Sequence, residues 1–275
     1  MTEATWRAPG KLVLVGEYAV LDGAGAVVAA VDRGVECHVS DGEGISTPGD
    51  DRFVRAALRG APPAHYAFRD WNPVDGIDGK PGFGGSAAAT VVATLAAGFP
   101  GSQAMGVHAA VQGGGSGVDV FASLHGGVRR FPDGAPLAHL PLVAVWSGQS
   151  AATGPRVARY LVWDGRSTFV DASRRLVAGF GEDPRGAIVE AYARLREMAT
   201  RAGIDYDTPA HAAIAALAAR FGGAAKPSGA GGGDVAVALF PDEDARAGFV
   251  QACTAAGLVP IAVQVAGPAG RVPSP

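Results

Sequence analysis

Runs of apolar residues alternate with polar and glycine-rich segments along the chain, and up to about residue 150 this pattern predicts mainly strands. Apolar runs predict strands at residues 12–15, 27–31, 35–39, 65–69 and 142–146. The Gly, Asp and Ser residues of segment 41–50 indicate a loop. Residues 51–58 carry apolar side chains on one helical face and stop before Gly60, which predicts a short helix. Two further helices are expected over residues 87–97 and 102–112.

Beyond about residue 150 the apolar positions take up helical spacing. The pattern predicts helices over residues 168–180, 184–202 and 209–221. Asp183-Pro184 and Thr208-Pro209 mark two helix starts, because Asp and Thr cap free N–H groups and proline fits the first turn. The rest of the pattern predicts a β-α-β unit, with a strand, a helix and a strand over residues 235–240, 242–256 and 259–265.

The segment Lys80-Pro81-Gly82-Phe83-Gly84-Gly85-Ser86 runs directly into the small-residue helix predicted over 87–97. Its glycines allow a tight turn with inward N–H groups, and the free N–H groups of a helix start extend the same array. Such an array binds phosphate. Ser86 is placed to cap the helix or to contact a metal ion on that phosphate, and Lys80 adds a positive charge. Taken alone, the segment is equally typical of an ordinary loop-to-helix junction.

Two more glycine-rich turns carry charged residues. Residues 112–118 lead to Asp119, which is expected in the first turn of a helix. A carboxylate at that position is also favoured by the helix dipole alone, so the ordinary structural interpretation stays open. The third turn runs from Lys226 to Asp234 and precedes the strand predicted at 235–240.

The lysines are few and are placed unevenly. The chain has three, Lys11, Lys80 and Lys226, and each lies in or beside a glycine-rich stretch, whereas the arginines are spread along the chain. A guanidinium does not replace a compact ammonium where a point charge must meet a phosphate. The placement therefore indicates phosphate handling, with chance as the alternative.

Composition narrows the classes of protein further. With 275 residues, of which 48% are hydrophobic and 18% charged, the chain is long enough for two lobes. Its net charge of -3 offers no basic field for nucleic acid or for a membrane surface. Cys37 and Cys253 stand alone, which disfavours disulfides and zinc and favours a reducing compartment. We expect a cytoplasmic protein without a signal peptide or membrane span, as a monomer or homodimer.

The Walker, dinucleotide-binding and nucleophile-elbow motifs do not occur in the sequence. The order of the motifs that do occur resembles that of the GHMP small-molecule kinases, over nearly the whole chain. Four segments carry the resemblance: Ala8 to Lys11 with Gly16 to Val20, Lys80 to Ala88, Gln112 to Asp119, and Lys226 to Asp234.

Within that superfamily the chain is most similar to the phosphomevalonate kinases. Four features favour them over the mevalonate kinases: Tyr18 in place of a typical histidine, Lys80 before the phosphate loop, the segment Trp146-Ser147-Gly148, and Asp234. The resemblance implies ATP-dependent transfer of a phosphoryl group to a small phosphorylated acid, with ATP and Mg²⁺ as cofactors. Mevalonate kinase, another alcohol kinase of the superfamily, and a non-catalytic ligand-binding protein are the alternatives.

The resemblance also implies a fold and a site. We expect an α+β fold with a ribosomal-S5-like ATP-binding lobe over residues 1–150 and a ferredoxin-like lobe over 151–275. Asp119 and Lys11 would act at the transferred group. ATP would be held by the start of the helix and the loop before it: Gly82, Gly84, Gly85, Ser86 and Ala87. Substrate would be bound by residues drawn from all the motifs: Lys80, Tyr18, Ser116, Gly117, Ser147, Ser150, Ser228, Gly229 and Ala230.

Two departures from the family pattern concern the metal. Gly85-Ser86 stands where the family usually has two serines, so one hydroxyl is missing. Between Ser86 and Asp119 the sequence has no acidic residue, so the glutamate that holds magnesium in mevalonate kinases has no counterpart. We therefore expect Mg²⁺ to be held mainly by ATP, water and Ser86. The short segment 41–79 leaves adenine recognition unassigned.

Overall fold

A computed structural model of the chain describes residues 3–77, 80–138 and 141–273. Within these ranges the larger sheet contains β1 (Ala4–Val15), β2 (Ala26–Ser40), β3 (Gly44–Ser46), β4 (His65–Trp71), β5 (Val128–Phe131) and β10 (Gly270–Arg271). The strand order is β10-β1-β2-β4-β3, and β5 pairs with β2. Neighbouring strands are antiparallel except for β3 and β4, which are parallel.

Strand β2 is continuous over Ala26–Ser40, where the sequence pattern predicted two strands separated by residues 32–34. A Cβ atom on Gly34 would lie 2.1 Å from the carbonyl oxygen of Ala8, and one on Gly10 would lie 2.0 Å from that of Arg33. The register of β1 and β2 shifts between Ala8 and Gly10. The two glycines thus let the strands pass closely and bend without a break.

Four helices pack against this sheet or against one another: α1 (Arg52–Ala57), α2 (Gly85–Ala96), α3 (Gln103–Gln112) and α4 (Val118–His125). Ala87, Ala88 and Val91 of α2 are fully buried in the core shared with β2 and β4. Small side chains allow this close packing. The start of α2 is consequently fixed beside strand β1.

The second sheet has the order β7-β8-β6-β9, formed by β6 (Leu142–Trp146), β7 (Ala224–Pro227), β8 (Val235–Leu239) and β9 (Val259–Ile261). Strands β8 and β9 flank β6, are both antiparallel to it, and are joined through α9 (Glu243–Ala255). The predicted β-α-β unit is confirmed, although β9 is shorter than expected. The chain leaves this sheet because Gln264 and Val265 pair with Asp32 and Val31 of β2.

The remaining helices are α5 (Thr153–Leu161), α6 (Arg166–Gly179), α7 (Pro184–Ala202) and α8 (Pro209–Arg220). The two predicted caps are confirmed: the Asp183 side chain accepts a hydrogen bond from the Gly186 amide, and Thr208 accepts one from the His211 amide. One hydrophobic cluster joins both sheets. It contains Leu12 and Val27 of the first sheet, Trp146 and Val235 of the second, and Ile188 of α7. The two sheets therefore share a core.

The sequence pattern did not predict strands β3, β5, β7 and β10 or helix α5. Strand β3 lies in the expected loop 41–50, and its three residues are half-buried or exposed, so no apolar run marks it. Strand β6 precedes residue 150 and belongs to the second sheet, while β10 returns to the first. The lobe boundary at 150 stays a prediction. Within the described ranges, no helix has both the length and the apolar character needed to cross a bilayer.

Candidate active site

The three glycine-rich turns meet around the ammonium group of Lys11. Its Nζ atom lies 3.6 Å from Oδ2 of Asp119 and donates a hydrogen bond of 3.4 Å to the carbonyl oxygen of Gly82. A Cβ atom on Gly229 would lie 4.0 Å from the same nitrogen. The Lys11 side chain is 8% exposed and that of Asp119 is 35% exposed. A buried cation thus faces a carboxylate that solvent can reach, at the junction of all three segments.

Lys11 is held there by the backbone of the phosphate loop, residues 80–86. Its amide donates a hydrogen bond of 2.8 Å to the carbonyl oxygen of Phe83. The preceding Gly10 permits this approach, since a Cβ atom there would lie 2.5 Å from the same oxygen. Strand β1 and the phosphate loop are therefore hydrogen-bonded to each other and closely packed.

The phosphate loop turns into α2 at Gly84, which precedes the first helical residue and has a left-handed φ of 76°. A Cβ atom on Gly84 would lie 3.1 Å from Cε of Lys11 and 3.4 Å from Oδ2 of Asp119. Gly85 and Ser86 are exposed in the first turn, where helix N–H groups are free to meet an anion. The predicted ATP-binding residues Gly82, Gly84, Gly85, Ser86 and Ala87 thus form a continuous loop and helix start beside Lys11.

Asp119 is aimed by the turn before it. Gly117 precedes α4 with a left-handed φ of 78°, and the Val118 amide donates a hydrogen bond of 3.3 Å to the Ser116 hydroxyl. A Cβ atom on Gly117 would lie 3.0 Å from Sδ of Met105. These contacts give Ser116 and Gly117 a part in fixing the start of α4, and their predicted contact with substrate stays a prediction.

The third segment is bonded to the first. The Ser228 hydroxyl accepts a hydrogen bond of 2.8 Å from the Val13 amide, and the Tyr18 hydroxyl donates one of 2.6 Å to the Ala230 carbonyl. The Gly229 amide donates to Glu17 at 3.4 Å. Burial raises the pKa of Tyr18 above its ordinary value. Tyr18 and Ser228 have protein partners for their hydroxyls, and the substrate contacts predicted for them stay predictions.

Lys226 differs from the sequence-based expectation for the three lysines. It lies in β7 and is fully buried, and its ammonium donates to Glu17, which is itself 4% exposed, and to the Pro227 carbonyl at 2.9 Å. Burial lowers the pKa of Lys226, and the Glu17 carboxylate opposes that shift. The Lys226 ammonium therefore pairs with Glu17 inside the protein, and Glu17 also contacts the third segment at Gly229.

Lys80 is exposed at the outer end of the phosphate loop, and its backbone is clipped by Ser150. The Lys80 amide donates to the Ser150 hydroxyl at 3.0 Å, and that hydroxyl donates to the Lys80 carbonyl at 3.1 Å. The Ser147 hydroxyl donates to the Gln149 carbonyl at 3.1 Å. The pKa of Asp50 is lowered to about 2, mainly by its hydrogen bonds with Arg52.

Asp234 ties the phosphate loop to the segment that follows β6. Its carboxylate accepts a hydrogen bond of 3.1 Å from the Ala151 amide, and its carbonyl accepts one of 3.1 Å from the Ser147 amide. The Val235 amide donates to the Pro81 carbonyl at 3.1 Å. Burial raises the pKa of Asp234. The end of the third segment therefore sets the position of the first.

Comparisons with known proteins agree with this geometry. Residues 171–257 match the family model described as GHMP kinases C terminal. A phosphomevalonate kinase from Streptomyces sp. (strain CL190) is 27% identical, over 87% of this chain and 90% of that protein. A mevalonate kinase from Archaeoglobus fulgidus is 29% identical, over 88% of this chain and 94% of that protein. The chain therefore contains a segment that matches the C-terminal part of GHMP kinases, and most of its length is similar to these two kinases.

Solved structures show the same fold. The Lin0012 protein from Listeria innocua superposes with a TM-score of 0.85 at 20% identity, over 99% of this chain and 100% of that one. Streptococcus pneumoniae phosphomevalonate kinase in complex with phosphomevalonate and AMPPNP gives a TM-score of 0.73 at 17% identity, over 97% and 100% of the two chains. The predicted two-lobed α+β fold is thereby confirmed. The predicted small-molecule kinase activity is supported by the two curated kinases and the family model.

Two further residues lie at this site and were not predicted from the sequence. His108 of α3 is 6% exposed and lies 3.2 Å from the Ser86 hydroxyl through Nε2. Burial lowers the pKa of His108, and the nearby Asp119 opposes the shift. Arg156 of α5 presses on the third segment, since a Cβ atom on Gly232 would lie 1.8 Å from its Nη2 atom. A histidine in an Ala-rich helix and an arginine among many give no local signal.

The side chains of the site do not fit a magnesium ion held by the protein itself. Mg²⁺ prefers an octahedral set of oxygen ligands, usually including one or two carboxylates. Near Ser86 the carboxylate is that of Asp119, which already faces Lys11. Across the described parts of the chain, no group of three or more His, Cys, Asp and Glu residues is placed to hold a metal ion. Metal contact by Ser86 stays a prediction.

Proposed function

We propose that this GHMP kinase transfers the γ-phosphoryl group of ATP to the phosphate group of phosphomevalonate, giving diphosphomevalonate and ADP in the mevalonate route to isoprenoids. The observation that carries the proposal is the meeting of three glycine-rich segments around Lys11 and Asp119. Lys80 is exposed two residues before Gly82 in the first of these segments. Phosphoryl transfer depends mainly on positioning and on neutralising charge, which this arrangement supplies.

In this proposal the nucleotide phosphates lie on the phosphate loop and the start of α2, in the cleft between lobes 1–150 and 151–275. Lys11 neutralises charge on the transferred group, because its buried side chain lies against Gly82 and Gly84 of the phosphate loop. The acceptor phosphate has a second pKa of about 6, so it is already largely dianionic at neutral pH. Asp119 then orients Lys11 and the acceptor and has no proton to remove.

We assign the acceptor to the side of Asp119 that faces away from the nucleotide phosphates. Two phosphates must approach each other, and a second cation offsets their repulsion. Lys80 is suited to this, since Ser150 fixes its backbone and its side chain is exposed. Ser147 and Ser150 follow β6 beside it and complete the proposed acceptor site. The proposed setting is the cytoplasm, which the free, buried Cys37 and Cys253 favour.

Mevalonate is the alternative acceptor, because a mevalonate kinase is as similar to this chain as a phosphomevalonate kinase is. Asp119 would then act as a general base, since an alcohol must lose its proton. Tyr18, Lys80 and Asp234 favour the phosphorylated acceptor as features of the resemblance to phosphomevalonate kinases.

A coupled ADP-release assay with phosphomevalonate, mevalonate and homoserine as acceptors separates these functions. We expect turnover with phosphomevalonate alone, and ³¹P NMR of the product should show a diphosphate. Turnover with mevalonate or homoserine but not phosphomevalonate would replace the proposal by an alcohol kinase. Lack of turnover with all three would favour another acceptor or a binding protein.

A further inference from the structure

The Ser86 hydroxyl, at the start of α2, has a fixed partner. Ser86 is exposed in the first turn of α2, and its Oγ atom lies 3.2 Å from Nε2 of His108. His108 cannot move freely, because it is 6% exposed and its ring stacks on Phe53 with centroids 5.1 Å apart and planes 28° apart. A rigid imidazole therefore restricts a side chain that would otherwise rotate.

The same imidazole stands close to the main carboxylate of the site. A Cβ atom on Gly84, two residues before Ser86, would lie 3.4 Å from Oδ2 of Asp119. Burial lowers the pKa of His108, and the charge of Asp119 opposes that shift. Asp119 in turn lies 3.6 Å from the Lys11 ammonium, so the charges of these two residues offset each other. With an imidazole beside them, the side chains around Ser86 present no net negative field to a divalent cation. The phosphates of a bound nucleotide would supply that field.

We propose that His108 is a positioning residue that holds the Ser86 hydroxyl at the nucleotide phosphates. His108 stands where a protein-held divalent cation would need a second carboxylate, so the cation binds this kinase only together with the nucleotide. The inference rests on the proposed use of a nucleotide and not on the identity of the acceptor. It follows from the disagreement between the donor set near Ser86 and the oxygen ligands that Mg²⁺ prefers.

The cation half of the proposal is tested by titrating the protein with Mn²⁺ alone, followed by electron paramagnetic resonance. The unsubstituted protein should bind Mn²⁺ weakly, and His108→Glu should bind it at least about tenfold more tightly, because two carboxylates then flank the hydroxyl. His125→Glu is the matched control, since His125 is exposed at the end of α4, and it should leave Mn²⁺ affinity unchanged. Low-micromolar binding by the unsubstituted protein, or no gain in His108→Glu, would overturn the proposal.

The positioning half is tested with AMPPNP binding by calorimetry and with steady-state kinetics. His108→Leu should weaken nucleotide binding and raise the KM for ATP about tenfold while kcat changes little, the loss expected for one hydrogen bond to a charged group. His108→Gln, whose amide can reach Ser86, should restore most of the affinity. In a Ser86→Ala background, His108→Leu should have no further effect.

Equal behaviour of His108→Leu and His108→Gln, or additive effects in the double variant, would show that the two residues act independently and overturn this half. Thermal unfolding of each variant reports whether it is folded. If His108→Leu does not fold, His108→Gln and its combination with Ser86→Ala decide the question. The Mn²⁺ and AMPPNP titrations need no acceptor, so failure of the phosphomevalonate assay would leave this inference untouched.

Discussion

The α-carbon of Gly82 lies directly against the carboxylate of Asp234. A Cβ atom on Gly82 would be 2.7 Å from Oδ2 of Asp234, and the glycine has a left-handed φ of 89°. Asp234 itself has a positive φ of 58°, which is uncommon for a residue with a side chain. The first and third glycine-rich segments therefore fit together only if position 82 has no side chain.

Gly82→Ala should consequently destabilise the protein by roughly 1–3 kcal/mol, through the strained backbone and displacement of Asp234. Gly85→Ala is the matched control three residues later, since a Cβ atom there meets nothing within 4 Å and the backbone is helical. It should be neutral or stabilising by up to about 1 kcal/mol. Urea unfolding of both variants provides the measurement. Equal stabilities would contradict the close fit described here.

Substitution of Lys11 or Asp119 should abolish most turnover without unfolding the protein. Lys11→Ala removes the buried cation beside the phosphate loop, and Asp119→Asn removes the charge that orients it. We expect kcat to fall about 10²- to 10⁴-fold in each, as for other losses of charge stabilisation. Asp171→Asn, which changes an exposed pair with Arg174 on α6, should leave kcat unchanged. Circular dichroism would establish that all three variants are folded, and near-normal turnover of Lys11→Ala or Asp119→Asn would refute the assigned roles.

Lys80→Ala should act on binding of the acceptor. The side chain is exposed and its backbone is fixed by Ser150, so its removal should leave the phosphate loop in place. Loss of one charge-assisted contact predicts a KM for phosphomevalonate raised about tenfold with kcat little changed. Initial-rate kinetics at saturating ATP would show this. An unchanged KM would exclude Lys80 from the acceptor site.

The sequence was sufficient for most elements, because periodic apolar faces, caps and glycine turns are local signals. The termini of α7 and α8 follow from Asp183-Pro184, Thr208-Pro209 and Gly203. The sequence alone was insufficient where contacts between distant segments determine the position of a side chain. Whether Lys226 faces ligand or protein depends on Glu17, which is 209 positions away in the chain. Likewise, His108 and Ser86 lie on two different helices, so the spacing of residues along the chain does not predict their contact.

His211 should make the stability of the protein sensitive to acid. It is 0% exposed on α8, and neither ring nitrogen has a hydrogen-bond partner of normal geometry among the described residues. Burial lowers its pKa to about 4. The charge of Asp207 and the nearby backbone of Asp234 favour the protonated ring, and Lys226 opposes it. The folded state therefore takes up this proton at lower pH than the unfolded chain, whose histidines titrate near pH 6.5.

Because the unfolded state binds more protons between about pH 6.5 and 4, the free energy of unfolding should fall as pH decreases through that window and level off on either side. The contribution of this one residue is about 3 kcal/mol. Urea unfolding of the unsubstituted protein and of His211→Leu at about pH 7 and pH 4 isolates it, since the carboxylates contribute equally to both. Replacing the exposed His125 by Leu should not alter the pH dependence. If the difference in stability between the protein and His211→Leu were the same at both pH values, His211 would not be the buried neutral group described here.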